Sequence, residues 1–246
     1  MHITASKLYN YIQCPHRVWR DIYGPQEEKI KETNPFVQLL WDRGVQHEET
    51  VVSKLGEFTD LSKIDFKDRF EPSIKAMKEG KELIYQGVLK HGNLVGIPDL
   101  LKRLPDNNYI PIDIKAGRGY EGVDEDNEGK PKKHYATQLC FYVELLKQLG
   151  FAKENKGLII DIEENKIEYS LDGQIGPKTP RSWWEYYEEL KEEVDALINN
   201  KKQNLPANSG VCKLCPWFNS CKNWCKENDD LTNIFYLGRS KRDVIV

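Results

Sequence analysis

The chain has 246 residues, enough for one large domain or two small ones. Hydrophobic residues make up 39% and charged residues 30%, which is typical of a globular protein and excludes a disordered or fibrous chain. No apolar run approaches the roughly 18 residues that a membrane helix needs, and the N-terminus lacks the apolar core of a secretory signal. We therefore expect a cytoplasmic protein with no membrane partner, whose six cysteines stay reduced and serve metal, cluster or redox chemistry.

The net charge of −3 hides an uneven distribution. Residues 1–20 carry +3 and residues 201–246 carry +4, so the residues between them carry −10. Both basic ends also contain cysteines, and a shared cysteine site would bring the two basic segments together. A local positive patch of this kind is typical of a nucleic-acid-binding surface, and ordinary solvated surface charge is the alternative.

Helix signals come first along the chain. Residues 5–12 read as a short helix, and a weaker helical pattern covers residues 71–79. Between them, Asn34-Pro35 predicts the start of a longer helix that runs to about residue 55. The residues that share one face of this longer helix are Phe36, Leu40, Gly44, His47, Val51 and Leu55.

Three strand patterns follow, at residues 82–90, 93–103 and 109–115. Short turns at residues 91–92 and 105–108 join them, and both turns are short enough for hairpins. This succession of strands predicts an antiparallel portion of a sheet.

The second half of the chain alternates helices and strands. Residues 116–133 are rich in glycine and charge, and we expect a mobile loop there. An amphipathic helix is predicted over 134–149, a hairpin over 157–163 and 166–172, and a helix from Pro180 to about residue 199. This order predicts an α/β fold with a central mixed sheet flanked by helices.

Asp99, Asp113 and Lys115 stand in otherwise apolar strands. Asp113 and Lys115 are two residues apart, so on a strand they point to the same face. A hairpin turn near residue 106 places position 99 opposite position 113 or 114, which brings the two carboxylates within reach of one metal. Two carboxylates suit Mg²⁺ or Mn²⁺, and a nearby lysine can orient water or stabilise phosphate charge. An Asp–Lys salt bridge on a sheet face is the alternative.

Three further residues indicate a functional site only when they are considered together with these. His47 lies on the apolar face of a predicted helix, where a satisfied core histidine is the commoner use. Gln138 and Tyr142 are four residues apart and share one face of another helix.

The combined pattern resembles the RecB-type branch of the PD-(D/E)XK nuclease superfamily, which has a restriction-endonuclease-like core. That pattern is a helix with a histidine, a G-x-x-D strand, a D-x-K strand and a helix with Q-x-x-x-Y. The residues that match it in order are His47, Gly96, Asp99, Asp113, Lys115, Gln138 and Tyr142.

The resemblance also implies a role for each matching residue. The roles are metal binding by His47, Asp99, Asp113 and the main-chain carbonyl of Ile114, catalysis by Lys115 with Asp113 and Asp99, and DNA positioning or site support by Gln138 and Tyr142.

The cysteines of residues 212–225, taken alone, have a spacing that fits a structural zinc site with four cysteine ligands. The resemblance favours an iron–sulfur cluster. Iron–sulfur nucleases of this branch, including the CRISPR-associated family and subunits of bacterial helicase–nucleases, combine a lone N-terminal cysteine with a later C-x₂-C-x₅-C triplet. Cys225 is then spare, and Cys140 packs as a small apolar residue. The implied ligands of a [4Fe–4S] cluster, in a small subdomain formed by both chain ends, are Cys14, Cys212, Cys215 and Cys221.

We accordingly predict four regions. They are an N-terminal segment over 1–33 with one cluster cysteine, a nuclease core over 34–200, a cluster segment over 201–228, and a tail over 229–246 that resembles the start of a helix-hairpin-helix element. The chain would then be a fragment of a larger protein or a short natural version.

The function that the resemblance implies is a metal-dependent DNA nuclease. Single-stranded DNA is the expected substrate, exonuclease action the expected mode, and DNA repair, recombination or CRISPR-type processing the expected setting. Further domains or a helicase-type partner would accompany it. The alternatives are a non-catalytic nucleic-acid-binding module and a zinc-stapled interaction domain of a larger helicase–nuclease assembly.

Overall fold

The chain divides into two compact units. The sheet unit comprises residues 1–9 and 41–191, and the cysteine unit comprises residues 10–40 and 192–246. The structure is a computed structural model, and the residues that it describes are 1–31, 35–122, 129–176, 179–202 and 204–245.

Helices and strands alternate along the described residues. The helices are α1 (Ala5–Gln13), α2 (Pro15–Tyr23), α3 (Pro35–Ser53), α4 (Phe70–Lys78), α5 (Lys133–Gln148), α6 (Trp183–Ile198), α7 (Phe218–Glu227) and α8 (Arg239–Ile245). The strands are β1 (Thr59–Asp60), β2 (Leu83–Tyr85), β3 (Leu89–His91), β4 (Leu94–Gly96), β5 (Leu100–Arg103), β6 (Tyr109–Ile114), β7 (Tyr120–Glu121), β8 (Lys130–Pro131), β9 (Lys156–Ile160), β10 (Lys166–Ser170), β11 (Gln174–Gly176) and β12 (Thr179–Ser182). Within this described part, none of the helices has the length and apolar character to cross a membrane.

A mixed sheet in the order β1-β2-β5-β6-β9-β10 forms the centre of the sheet unit. The pairs β1–β2 and β6–β9 are parallel, and the other neighbouring pairs are antiparallel. Helices flank this sheet, so the predicted α/β fold with a central mixed sheet is confirmed. The architecture is consistent with a restriction-endonuclease-like core.

Strand β6 is buried along its whole length because its sequence is almost entirely apolar and both faces of the sheet are covered. On one face, Val51 of α3 belongs to the same buried cluster as Ile112. On the other face, α5 lies so close that a Cβ atom on Gly157 would come within 2.9 Å of Leu139. Burying each such aliphatic side chain contributes about 1.5–3 kcal/mol to stability. Asp113 is the one charged residue that this burial takes out of water within β6.

The predicted continuous strand over 82–90 is wrong, because it is interrupted at Gln86. Gln86 has a φ of +56°, and its N–H donates a hydrogen bond to the carbonyl of Asp99 at 2.9 Å. The chain therefore turns between β2 and β3. The predicted strand over 93–103 likewise divides into β4 and β5. The left-handed backbone of Gln86 is fixed by a contact with a distant part of the chain. The alternation of apolar and polar residues does not depend on that contact, so it did not reveal the break in the strand.

The expected mobile loop over 116–133 contains paired strands. In β7 and β8, Tyr120 pairs with Pro131 and Glu121 pairs with Lys130. The prediction of a loop is therefore wrong for these strands, and its residues 123–128 lie outside the described residues.

Helix α6 begins at Trp183, later than predicted, because Pro180 belongs to β12. The start is fixed by a reciprocal cap. The Ser182 hydroxyl accepts a hydrogen bond from the Glu185 N–H at 3.2 Å, and the Glu185 carboxylate accepts one from the Ser182 N–H at 2.7 Å. This capping box satisfies two helix-terminal N–H groups that would otherwise lack partners.

The predicted helices over 5–12, 71–79 and 134–149 are confirmed by α1, α4 and α5. The longer predicted helix is confirmed by α3, although its proposed cap, Asn34, lies outside the described residues. The residues predicted to share one face of this helix differ in burial. Val51 is 5% exposed, whereas Phe36 is 57% and Leu40 is 47% exposed.

Helix α2 was not predicted from the sequence. It begins directly after Cys14 with a proline at its first turn, which is a favourable start. Its buried residues are His16, Val18 and Arg20. Val18, Trp19, Ile22 and Tyr23 stand three and four residues apart, which is helical spacing, so the sequence carries a signal for this helix that the prediction missed.

Candidate active site and cysteine cavity

Asp99 and Asp113 lie side by side at the ends of neighbouring strands. In the β5–β6 ladder, Leu100 pairs with Ile112, so the next position outward sets residue 99 opposite residue 113. Asp113 is 1% exposed. Burial, and then the charge of Asp113, raise the pKa of Asp99 well above its usual range. The two carboxyl groups therefore repel each other, and a cation between them would relieve that repulsion.

Lys115 supplies one positive charge to this pair. Its ammonium group forms an ion pair with Asp113 Oδ2, and its side chain is only 24% exposed. Burial alone would lower the pKa of Lys115, but the carboxylates of Asp113 and Asp99 outweigh burial and raise that pKa. Lys115 is therefore a permanent cation at neutral pH. We call Asp99, Asp113 and Lys115 the carboxylate–lysine site.

Gln138 and Tyr142 of α5 hold Asp113 in place. Gln138 Nε2 donates hydrogen bonds to Asp113 Oδ1 at 3.1 Å and to the Tyr142 hydroxyl oxygen at 2.9 Å. The Tyr142 hydroxyl donates in turn to the carbonyl of Ile97 at 3.1 Å, and Tyr142 is 3% exposed. These contacts favour support of the site, and DNA positioning by the same pair stays a prediction.

His47 and Ile114 have contacts of their own. The His47 Nε2 atom lies 2.9 Å from the carbonyl oxygen of Asp161. The Ile114 N–H donates a hydrogen bond to Asp99 Oδ2 at 2.7 Å. Over the described residues, no group of three or more His, Cys, Asp or Glu side chains is placed to hold one metal ion. The structure thus brings Asp99, Asp113 and Lys115 together without gathering His47 into a metal-binding set.

The donor set nevertheless fits a divalent cation. Asp113 Oδ2 is buried and forms an ion pair with Lys115. Within the described residues it accepts no hydrogen bond from any other group. Paired carboxylate oxygens are the ligands that Mg²⁺ and Mn²⁺ prefer.

A second carboxylate network adjoins Asp99, and sequence reasoning missed it. Gln86 Nε2 donates hydrogen bonds to Glu48 Oε1 at 2.8 Å and to Asp99 Oδ1 at 3.3 Å. The Tyr85 hydroxyl also donates to Glu48 Oε1, at 3.0 Å. Glu48 follows His47 directly in the sequence, which was the one available signal. The position of the Gln86 side chain depends on its left-handed backbone, which the sequence pattern does not predict.

Asp161 stabilises the turn that follows β9, the strand that pairs with β6. Its Oδ1 accepts hydrogen bonds from the N–H groups of Glu163 and Asn165, each at 3.0 Å, and its Oδ2 accepts one from Gly119 at 3.2 Å. The Lys115 N–H donates to the carbonyl of Ile160, the residue before Asp161, at 2.8 Å. Asp161 therefore fixes the backbone next to Lys115.

Four of the six cysteines line one cavity in the cysteine unit, which we call the cysteine cavity. Its wall also includes Arg17, Trp217 and Phe218. The four cysteines that line it are Cys14, Cys212, Cys215 and Cys221.

Burial determines the protonation of these thiols. It raises the pKa of Cys221 to about 12 and also raises the pKa of Cys215. Each thiolate in the cavity also disfavours ionisation of its neighbours. A bound metal or cluster would reverse this balance, because thiolates bind metal in their deprotonated form.

The other two cysteines have separate environments. Cys140 is fully buried in α5, and its thiol lies 3.7 Å from the carbonyl of Trp183, which confirms its predicted role as a small core residue. Cys225 is also fully buried, and its sulfur lies 3.9 Å from the Thr232 hydroxyl.

The model of the PD-(D/E)XK nuclease superfamily matches residues 13–222 of the chain. The protein therefore belongs to the PD-(D/E)XK nuclease superfamily. Membership implies a nuclease that hydrolyses phosphodiester bonds, and nucleases of this superfamily use divalent metals such as Mg²⁺ or Mn²⁺. A nuclease of this kind would bind DNA.

Other comparisons add little to this assignment. No curated protein matches the sequence. The solved structure of SSO0001 is similar at 19% sequence identity and a TM-score of 0.42, over 88% of this chain and 83% of that one.

Proposed function

We propose that this protein is a Mg²⁺- or Mn²⁺-dependent deoxyribonuclease of the RecB-like branch, acting on single-stranded DNA as an exonuclease. The observation that carries the proposal is the convergence of Asp99, Asp113 and Lys115 at the ends of two paired strands. Asp113 is 1% exposed and is paired with the partly buried Lys115, and the partly buried Asp99 lies opposite it. Removing such charged groups from water is costly for folding, so a structural role alone is a poor reason for this arrangement.

The residues that would hold the metal are Asp99 and Asp113, with His47 and the carbonyl of Ile114 completing the set. When bound, the metal supplies Lewis-acid activation of water and of the phosphodiester. Lys115 would donate hydrogen bonds to the attacking water and to the phosphate. Because its pKa is raised, it keeps its protons and neutralises charge rather than acting as a base.

Gln138 and Tyr142 would keep Asp113 in one orientation while substrate binds. Burial, and then the charge of Asp113, raise the pKa of Tyr142 well above its usual range. Its hydroxyl therefore stays protonated and continues to donate to the carbonyl of Ile97. The Gln138 amide stays aimed at Asp113 as a result.

A [4Fe–4S] cluster held by the four thiols of the cysteine cavity forms the second part of the proposal. The shared cavity supports this ligand set. The zinc alternative would replace Cys14 by Cys225. Cys225 does not line the cavity and contacts Thr232, which favours the set that includes Cys14.

Metal analysis tests the cluster. Protein purified without oxygen is expected to be brown, to absorb broadly at the blue end of the visible spectrum, and to contain about four irons per chain. A colourless protein that contains zinc and no iron would contradict the cluster and favour the zinc-stapled interaction domain.

Cleavage of end-labelled DNA tests the nuclease. Single-stranded and double-stranded oligonucleotides, labelled at either end, are incubated with the full chain and Mn²⁺ or Mg²⁺. The proposal expects metal-dependent loss of terminal nucleotides from the single strand. Salt-dependent DNA binding with no cleavage in either metal would instead establish a non-catalytic binding module. By the resemblance, the cellular setting is DNA repair, recombination or CRISPR-type processing, with further domains or a helicase-type partner.

A further inference from the structure

Basic and aromatic side chains alternate around the first turn of α5, in the sheet unit. None of them belongs to the carboxylate–lysine site. We call them the α5 patch, and its members are Tyr9, Lys132, Lys133, His134, Arg181 and Tyr186.

The patch adjoins the carboxylate–lysine site through the ring of Tyr135. The Lys115 ammonium lies 5.6 Å from the centre of this ring, and the Lys132 ammonium lies 5.1 Å from it. Tyr135 itself is 8% exposed and so is fixed by its surroundings. A strand whose phosphate contacts Lys115 would therefore meet Lys132 next.

One side of the patch offers an aromatic surface. The ring centres of Tyr9 and His134 are 5.6 Å apart in an edge-to-face arrangement, and Tyr9 is 45% exposed. Burial, and then the charges of Lys132 and Lys115, lower the pKa of His134 to about 4. The imidazole is therefore neutral at pH 7, and its ring is available as an apolar surface.

The other side of the patch is cationic. The Lys133 ammonium lies 5.1 Å and the Arg181 guanidinium 4.9 Å from the ring centre of Tyr186. The Arg181 guanidinium also forms an ion pair with the Glu189 carboxylate. Within the described ranges, neither Lys132 nor Lys133 has a carboxylate within 4.0 Å. Their charges are therefore available to an anionic partner.

We propose that the α5 patch binds the nucleotides of a single strand next to the cleaved phosphate. Tyr9 would stack on a base, while Lys132, Lys133 and Arg181 contact successive phosphates. Alternating aromatic and basic side chains are the arrangement that binds unpaired nucleic acid, because stacking requires bases that are not already paired. The inference rests on the proposed function for its link to cleavage, but binding can be measured separately.

The test uses the full chain with Asp113→Asn, so that binding is measured without cleavage. The probe is a fluorescent single-stranded oligo(dT), followed by anisotropy at several salt concentrations. Lys132→Gln, Lys133→Gln and Arg181→Gln combined are expected to weaken binding at least tenfold. The plot of log affinity against log salt should become shallower by about 2, because each lost phosphate contact on a single strand removes about 0.7.

Stacking is tested with Tyr9→Ala and Tyr9→Phe. The alanine variant is expected to bind about tenfold more weakly at every salt concentration, since loss of one stacked base typically costs between about fivefold and a hundredfold. The phenylalanine variant should bind like the parent. A matched control, Lys75→Gln with Lys78→Gln on α4, removes two exposed lysines outside the patch and should leave binding unchanged.

The outcomes separate this inference from the proposed function. If the parent chain cleaves DNA but the triple variant binds like the α4 control, the patch assignment is overturned and the nuclease stands. If the parent binds single strands without cleaving and the triple variant loses binding, the patch stands and the nuclease fails. If the triple variant loses as much affinity for a duplex of the same length as for the single strand, or if the parent does not bind the single strand, the single-strand assignment is overturned.

Discussion

In the sheet unit the candidate site residues are positioned by hydrogen bonds between oxygen and nitrogen atoms, whereas in the cysteine unit the thiols that line the cavity have longer and weaker contacts. Asp113 is held by Gln138, and Asp99 by the Ile114 N–H and by Gln86. The sulfur of Cys212 lies 3.5 Å from the Ser209 hydroxyl and from the carbonyl of Ala207, and the sulfur of Cys14 lies 3.8 Å from a guanidinium nitrogen of Arg239. The carboxylate–lysine site is therefore held by stronger contacts than the thiols of the cysteine cavity.

The largest expected effect is loss of cleavage when the carboxylate–lysine site is broken. Asp113→Asn and Lys115→Ala are each expected to lower the cleavage rate at least a hundredfold, because the first weakens a proposed metal ligand and the second removes the positive charge placed against the reacting phosphate. Both variants should keep the iron content of the parent, since neither residue lines the cysteine cavity. End-labelled cleavage assays and iron analysis on the same preparations make the measurement.

A control lysine on the same sheet is Lys102 of β5, which is exposed. Lys102→Ala should cleave like the parent. Full activity in Lys115→Ala would show that Lys115 is not the catalytic lysine.

Loss of a proposed cluster ligand should unfold the cysteine unit and leave the sheet unit folded. Cys221→Ser is expected to lose colour and iron and to make residues 192–246 sensitive to protease, because the group that orders the cavity is lost. Peptides from β6 and α5 should stay protected. Limited proteolysis with mass spectrometry distinguishes the two units.

The matched variant is Cys225→Ser, which changes a buried cysteine outside the cavity. It should retain iron. Retention of iron by Cys221→Ser together with its loss in Cys225→Ser would contradict the ligand set proposed above.

The sheet unit should lose stability in mild acid through His134. Its folded-state pKa of about 4 lies below the ordinary value of 6.5, so the unfolded chain binds the proton more tightly. The contribution of His134 to stability is complete above pH 6.5 and is lost as the pH falls towards 4. Its full size is about 1–3 kcal/mol after allowance for solvent screening.

Urea unfolding of the parent and of His134→Asn at a series of pH values measures this contribution. The variant is expected to show a flatter dependence between pH 6.5 and 4. Identical slopes for the two proteins would assign the acid sensitivity to other groups.

The smallest expected effect concerns the backbone at Gln86. Both Gln86→Gly and Gln86→Ala remove the hydrogen bonds to Glu48 and Asp99. Only glycine adopts a φ of +56° without strain, so the glycine variant should be more stable than the alanine variant by about 1 kcal/mol. Chemical unfolding of both variants measures the difference. Equal stabilities would mean that the backbone relaxes away from this conformation when the side chain is shortened.

Local pattern was sufficient for much of the fold. The hydrophobic period and the short turn at 105–108 predicted the β5–β6 hairpin and set position 99 opposite position 113 or 114, of which the structure selects 113. Helix α5 followed from its period as well. The turn at Gln86 did not, because its left-handed backbone depends on a contact distant in the chain. Helix α2 was missed although its apolar residues stand at helical spacing.

The candidate site shows the same division. The spacing of Asp113 and Lys115 on a strand predicted their shared face, and the ion pair between them agrees with it. The spacing did not indicate that Gln138 would reach Asp113, or that Glu48 would join Asp99 through Gln86. Those contacts depend on how α5 and α3 pack against the sheet.

The sequence by itself determined the α/β class, placed Asp99 opposite position 113 or 114, and set Lys115 on the same face as Asp113, because strand period and turn length are local properties. The tertiary structure decided which groups hold those residues and which cysteines share a cavity. It also decided that lysines and aromatic rings separated in the chain adjoin one another beside Lys115. Segments that are distant in the chain come together only when the apolar faces of the helices and strands are buried against each other. A local sequence pattern therefore does not predict which of them will be in contact.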